Sequence, residues 1–256
     1  MKKFNFIVAV FLTVATLCSN VSAKTERINW FFKQKGENLQ PEILGGSDIP
    51  KKHGALFLGN ENEKVIYLTF DAGYSNENVE KTLDVLEKQD VKAAFFILPG
   101  IIKNSKETVQ RMIDGGHLIC NHTTTHCDTS KLTDIDDFKK ELCGLENVYK
   151  ETFSIEMEKY FRPPEGAFSE KTLEFCQELG YIPVFWSFAY ADWDNGKQPD
   201  TEKAKNKIIS SAHNGMVILL HPTSQTNALI LDEVITELKD RGFSFGTLDE
   251  LKKSSE

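Results

Sequence analysis

The sequence is poor in whatever would divide or staple it. Its 8 prolines and 16 glycines are scattered over 256 residues and never gather with serine into a linker, so composition marks no boundary between separately folding parts. Basic residues are in deficit, 30 Lys and Arg against 38 Asp and Glu for a net charge of −8, which excludes the positive footprint of a nucleic-acid partner. Cysteine is sparse and forms no C-x-x-C pair. That excludes a disulfide-scaffolded small domain and the common zinc ribbons. Long apolar runs are absent too. The longest, residues 6–17, falls short of the roughly 20 residues that span a bilayer.

That run follows Lys2 and Lys3 and precedes the small-residue site Val21-Ser22-Ala23, the layout of a secretory leader cleaved after Ala23. A retained anchor is the alternative. Lipidation at Cys18 is a lesser one, because bulky Leu17 precedes the thiol. Without residues 1–23 the chain keeps 233 residues, 28 basic against 38 acidic, a net charge of −10 and no stable transmembrane segment. That length suits one α/β domain. The four remaining cysteines, Cys120, Cys127, Cys143 and Cys176, permit disulfides. Cys120 and Cys127 bracket two histidines, so a thiolate ligand has to be weighed, but buried free thiols are the favoured reading.

What is present is a repeating β-then-α rhythm. Apolar runs at 64–70, 92–98, 117–120, 160–161, 182–187, 216–220 and 243–245 predict seven strands. Amphipathic stretches at 76–89, 105–114, 134–151, 169–179, 200–212 and 225–239 predict helices between them. Asn76, Ser105, Asp134 and Ser169 are the expected N-caps, and Gly115, Gly180 and Gly242 lie just past helix ends. Right-handed crossovers make the sheet parallel, and seven βα units curl it into an incomplete barrel whose functional rim is at the strand carboxyl ends. Residues 24–63 show no clear periodicity and are expected to be an extended lead-in packed on the barrel, with the main domain at 64–256.

The chemistry-bearing residues follow those strands. Asp71 ends the first, either as a general base or as a capping carboxylate for the next helix. His122 and His126 follow the third; four apart, they chelate one zinc-sized cation if the loop is helical, and are otherwise solvated surface residues. Arg162 opens Arg162-Pro163-Pro164-Glu165-Gly166 and either orients a carboxylate or makes a surface ion pair. Asp192 and Trp193 follow the fifth strand; a Trp between acids suits stacking on a sugar, and a rim packing role is the alternative. His221 follows the apolar run 216–220, either as a general acid with Asp192 keeping it protonated or as a core histidine bonded to a carbonyl.

In this order the segments Thr69-Phe70-Asp71-Ala72-Gly73, His122-Thr123-Thr124-Thr125-His126, Arg162-Pro163-Pro164, Asp192-Trp193 and Leu219-Leu220-His221 resemble the motifs of the polysaccharide deacetylases of carbohydrate esterase family 4, the NodB homology family. They span about 150 residues. The resemblance implies an α/β fold, a distorted seven-stranded (β/α) barrel. It implies Asp71 as catalytic base, Arg162 orienting it, His221 as general acid tuned by Asp192, and His122 and His126 as metal ligands. Trp193, Leu219, Glu165 and Tyr74 would bind substrate, Leu219 lining the acetyl pocket and Glu165 offering its backbone N–H to an oxyanion. Ala72 stands where the family has a third, carboxylate ligand, so the implied divalent metal, zinc, is expected to bind weakly through two histidines.

The chain is similar over nearly its whole mature length to the delta-lactam-biosynthetic de-N-acetylases, a subfamily that also lacks that carboxylate. This implies hydrolysis of the N-acetyl group of N-acetylmuramic acid in peptide-stripped peptidoglycan, leading to the muramic δ-lactam of spore cortex. The enzyme would be a monomer exported to the cell wall or to the intermembrane space of the forming spore. Deacetylation of N-acetylglucosamine polymers, and a non-catalytic glycan-binding role, are the alternatives.

Overall fold

The computed structural model describes residues 24–46 and 48–255; the expected leader lies outside them. All seven expected strands are found in one parallel sheet. The strands in chain order are β1 (Ile28–Asn29), β2 (Phe31–Lys33), β3 (Glu42–Leu44), β4 (Val65–Ala72), β5 (Ala94–Ile97), β6 (Leu118–Asn121), β7 (Tyr160–Phe161), β8 (Ala167–Phe168), β9 (Ile182–Pro183), β10 (Met216–Leu220) and β11 (Ser244–Gly246). The parallel sheet runs β10-β4-β5-β6-β7-β9. β10 lies along one edge of β4 at residues 66–70, so the other edge is left to β11 at residues 65–67 and to β5 at residues 69–72.

The curled sheet is not closed by a continuous ladder. Isolated bridges Phe188↔Ile218, Leu56↔Val184 and Leu58↔Met216 span the gap between β9 and β10. The fifth run, expected as a strand over 182–187, stays regular only through Pro183, and the lead-in takes over its pairing at Val184.

Both faces of β4 are buried, as a parallel sheet covered by helices requires. Ile66, Leu68, Phe70 and Ala72 face the cluster shared with the helices, while Tyr67 joins a second cluster with Phe96 and Val217. Each fully buried aliphatic or aromatic side chain contributes about 1.5–3 kcal/mol. Helix starts are fixed by side-chain caps: Asn76, Asp134 and Ser169 accept from backbone N–H groups one turn in, Ser169 in a reciprocal box with Thr172. Ser105 occupies its expected cap position but makes no capping side-chain bond.

Residues 24–63 contain short ordered pieces. β1 pairs antiparallel with β8, and β2 pairs with β3. Trp30 stacks on Phe185 with ring centroids 4.5 Å apart and donates its indole N–H to the Trp186 carbonyl at 2.8 Å. Opposite it, Gly166 has φ 67°, and a Cβ there would lie 2.7 Å from Trp186 and 3.0 Å from Trp30. Only glycine fits this turn, which carries the Arg-Pro-Pro segment past the lead-in. All four cysteines in the described region are free; Cys120 and Cys176 are buried, but Cys127 is only half-buried, so the expectation of a buried thiol fails there.

Candidate active site

Strand register brings the two principal groups together. Phe70 and Leu220 are the last partners of the β4–β10 ladder, so Asp71 and His221 are the next residues of adjacent parallel strands, which run about 4.8 Å apart. Both line a groove of about 800 Å³ at the carboxyl ends of the strands, together with His122, His126, Tyr74, Glu165, Trp193 and Leu219. Arg162 and Asp192 stand directly behind it, fully buried at 0% and 1% exposure.

Arg162 is bonded on every side. It donates to Asp71 Oδ1 at 2.7 Å, to Thr69 Oγ1 at 2.8 Å and to the Val184 carbonyl at 3.2 Å, and its guanidinium lies 4.1 Å from the Phe96 ring centroid. An ion pair out of water is tolerated only with such complete satisfaction. Burial would raise the Asp71 carboxyl, but the charges of Arg162, His122 and His221 outweigh it and hold it below the usual carboxylate value. Asp71 does not cap the following helix; Asn76 does. Arg162 is not on the surface.

His221 is held by Asp192 through two contacts. The imidazole Nδ1–H donates to Asp192 Oδ1 at 2.7 Å, and the His221 backbone N–H donates to Oδ2 at 2.8 Å. Burial disfavours the imidazolium, yet the hydrogen bond and charge of Asp192 prevail and raise its pKa above the ordinary histidine value. Its partner is thus a carboxylate, not a backbone carbonyl. Asn227 completes the arrangement: its side-chain amide donates to Asp192 Oδ2 at 2.6 Å and to the His221 carbonyl at 3.1 Å, and its Oδ1 accepts from the Tyr190 hydroxyl. Sequence reasoning gave Asn227 no role, because the six-residue spacing from His221 acquires meaning only once the chain has turned into a helix capped by Ser224.

The histidine loop departs from expectation. Residues 122–126 are not helical; left-handed backbone at Thr123 (φ 74°) and His126 (φ 58°) turns the two rings together, centroids 5.0 Å apart at 70°. His122 Nδ1 lies 2.8 Å from the Arg162 carbonyl, which can only accept, so Nδ1 carries the proton. The Nε2 lone pair is left toward Asp71 Oδ2 at 3.6 Å. Burial, with the charges of His126 and Arg162 adding to it against the opposing charge of Asp71, lowers the His122 pKa to about 4, so the ring is neutral at pH 7. A neutral imidazole whose other nitrogen is fixed by a carbonyl suits a metal ligand.

No third ligand completes the pair: Ala72 is fully buried in the apolar cluster of Phe70 and Ile97, and no group of three or more His, Cys, Asp or Glu fit for a metal occurs among the described residues. Two imidazoles with water fit a weakly held divalent cation.

The groove walls are apolar and aromatic. Trp193 is 61% exposed, with its ring centroid 6.2 Å from that of His221. Tyr74, half exposed, accepts from the Asn195 side chain, and Leu219 is buried beneath them. Glu165 sits in the left-handed region (φ 58°) with its carboxylate toward Arg27 of the lead-in at 3.3 Å.

Comparison with known proteins agrees with this site. Residues 58–184 match the polysaccharide deacetylase family. Peptidoglycan-N-acetylmuramic acid deacetylase PdaA of Bacillus subtilis is 42% identical over 229 residues, 88% of this chain and 86% of that protein. Its structure, that of a family 4 carbohydrate esterase, superposes with a TM-score of 0.86 at 38% identity, covering 91% of this chain and 99% of the other. A peptidoglycan-N-acetylglucosamine deacetylase of Bacillus cereus is 32% identical over 80% of this chain and 74% of its own length. The chain belongs to the polysaccharide deacetylases, family 4 of the carbohydrate esterases, and is a deacetylating hydrolase. Enzymes of this family depend on a metal.

Proposed function

We propose that this enzyme removes the N-acetyl group of N-acetylmuramic acid residues in peptidoglycan outside the plasma membrane. The observation that carries the chemistry is the pairing of Asp71, held by Arg162, with His221, held by Asp192, on adjacent strands of one groove. The muramic preference is supported by the 42% identity to PdaA. The substrate is peptide-stripped glycan, and the freed amine is the precursor of the muramic δ-lactam of spore cortex.

In the reaction Asp71 takes a proton from the attacking water, and Arg162 keeps the carboxylate ionised between turnovers. The oxyanion that develops on the acetyl carbonyl falls to the backbone N–H of Glu165. His221 gives its Nε2 proton to the departing amine nitrogen while Asp192 retains Nδ1–H. Leu219 lines the acetyl pocket, and Trp193 and Tyr74 wall the glycan. His122 and His126 would hold the divalent cation, zinc, which when bound supplies Lewis-acid polarisation of water and carbonyl oxygen.

Mass spectrometry of peptide-stripped glycan after incubation with the enzyme tests the reading. Loss of acetyl from muramic residues is expected. Loss only from glucosamine residues would favour the second reading, which rests on the 32% identity to the Bacillus cereus enzyme; no loss from either would overturn both.

A further inference from the structure

The helix Ile135–Phe153 reaches into the histidine loop at several points. Oε2 of Glu141 accepts the backbone N–H groups of Thr124 at 3.2 Å and Thr125 at 3.0 Å, and the Thr125 hydroxyl lies 3.0 Å from each carboxylate oxygen. The helix backbone takes part as well. The Glu141 carbonyl accepts from the Thr124 hydroxyl at 2.7 Å, and the Leu142 carbonyl accepts from the Asn121 side chain at 3.0 Å, whose own Oδ1 accepts the Thr123 N–H at 2.8 Å.

Gly144 makes this approach possible: a Cβ there would lie 2.4 Å from Thr124 Oγ1. Glycine within a helix is less favourable than alanine, so the position trades helix stability for contact with the loop. The loop needs holding. Thr123 is β-branched at φ 74° and His126 is at φ 58°, conformations that are costly for residues with a Cβ and persist only where the surroundings impose them.

We propose that Glu141 is a positioning residue for the two histidines proposed to hold the cation: its carboxylate clamps residues 124 and 125 so that the His122 and His126 rings keep their 5.0 Å spacing. Hydrogen bonds to an ionised acceptor are the strong kind. With Ala72 offering no carboxylate, the affinity of the site rests on how well these two rings are preorganised. The inference rests on the reading that the two imidazoles bind a divalent cation.

Calorimetric titration of the metal-free enzyme with zinc tests it. Glu141→Ala should raise the Kd about tenfold or more, as loss of outer-shell support does elsewhere, and Glu141→Gln, which keeps an acceptor oxygen without the charge, should fall between. Gly144→Ala favours the helix intrinsically and yet should also weaken zinc, which a purely structural role would not produce. At saturating zinc, Glu141→Ala should recover kcat with KM for glycan unchanged. Asp137→Ala, on the exposed face of the same helix, should leave the Kd as it is. If Glu141→Ala fails to fold, Glu141→Gln and Gly144→Ala carry the test. A Kd within twofold of wild type in the Glu141 variants that fold overturns the clamp; absence of zinc binding by the wild-type enzyme overturns the two-histidine reading and the clamp with it.

Discussion

Asp71 and His221 stand at the ends of two paired strands, whereas His122 and His126 stand on a loop with no regular structure, and the two halves of the groove are held by different means. On the strand side, the β4–β10 register sets the spacing and two buried charge partners, Arg162 and Asp192, set the protonation states. On the loop side, strained backbone is fastened from outside by hydrogen bonds to Glu141 and to helix carbonyls. The proposed base and acid, which work with opposite charges at one pH, lie at the ends of paired strands. The two histidines proposed to hold the cation lie on a loop whose left-handed residues bring their rings to 5.0 Å apart.

The largest effects should come from breaking the strand side. Asp71→Asn and His221→Ala should each lower kcat by about 10²- to 10⁴-fold, the usual worth of a general base or acid, read in a deacetylation assay. Arg162→Met should be costly in a second way. Removing one member of a buried pair typically costs about 3–5 kcal/mol, so thermal melts should show a clear loss of stability. His221→Ala should cost less stability than Arg162→Met, because the Asp192 carboxylate it leaves keeps the Asn227 amide and the residue 221 backbone N–H as partners. Equal stability in both variants would mean that Arg162 is not the strut its burial implies.

A smaller effect sharpens the comparison at the rim. Trp193, 61% exposed, should contribute to glycan binding and little to chemistry, so Trp193→Ala should raise KM several-fold, on the order of 1 kcal/mol, with kcat nearly unchanged. A large drop in kcat at constant KM would place the indole in the reaction instead.

The strand side was the legible one. Parallel strands buried on both faces read as continuous apolar runs, and Asp71, Arg162 and His221 each come directly after one, so they could be placed at the strand carboxyl ends from sequence order, with Asp192 a few residues beyond the fifth run. The loop side was not. A positive φ at Thr123 has no signature in a β-branched residue, and the helical loop on which the four-residue spacing of His122 and His126 was made conditional does not form. Glu141 and Asn227 were given no role for another reason: each acts only through groups that the fold brings to it, on a different element. The strands of the lead-in escaped because pieces of two or three residues, such as β1 and β2, are too short to show a period.

The pH dependence follows from the two charge partners. In the proposed mechanism activity needs Asp71 ionised and should be lost as pH falls through its lowered pKa, in the same acid region where His122, at about 4, becomes charged. It needs His221 protonated and should be lost as pH rises through a pKa lying above the ordinary 6.5. Stability follows the same signs: the contribution of Asp71 is present above the unfolded value of 3.8 and lost below the folded one, while that of His221 is present below 6.5 and lost as pH rises through its raised pKa.

The pH–rate profile of kcat/KM for Asp192→Asn beside wild type is the most direct test that the paired strands present an oppositely tuned acid and base. The account predicts a bell whose alkaline limb moves to lower pH in the variant, because the imidazolium has lost its carboxylate, while the acid limb stays in place. An alkaline limb unmoved by the substitution would contradict it.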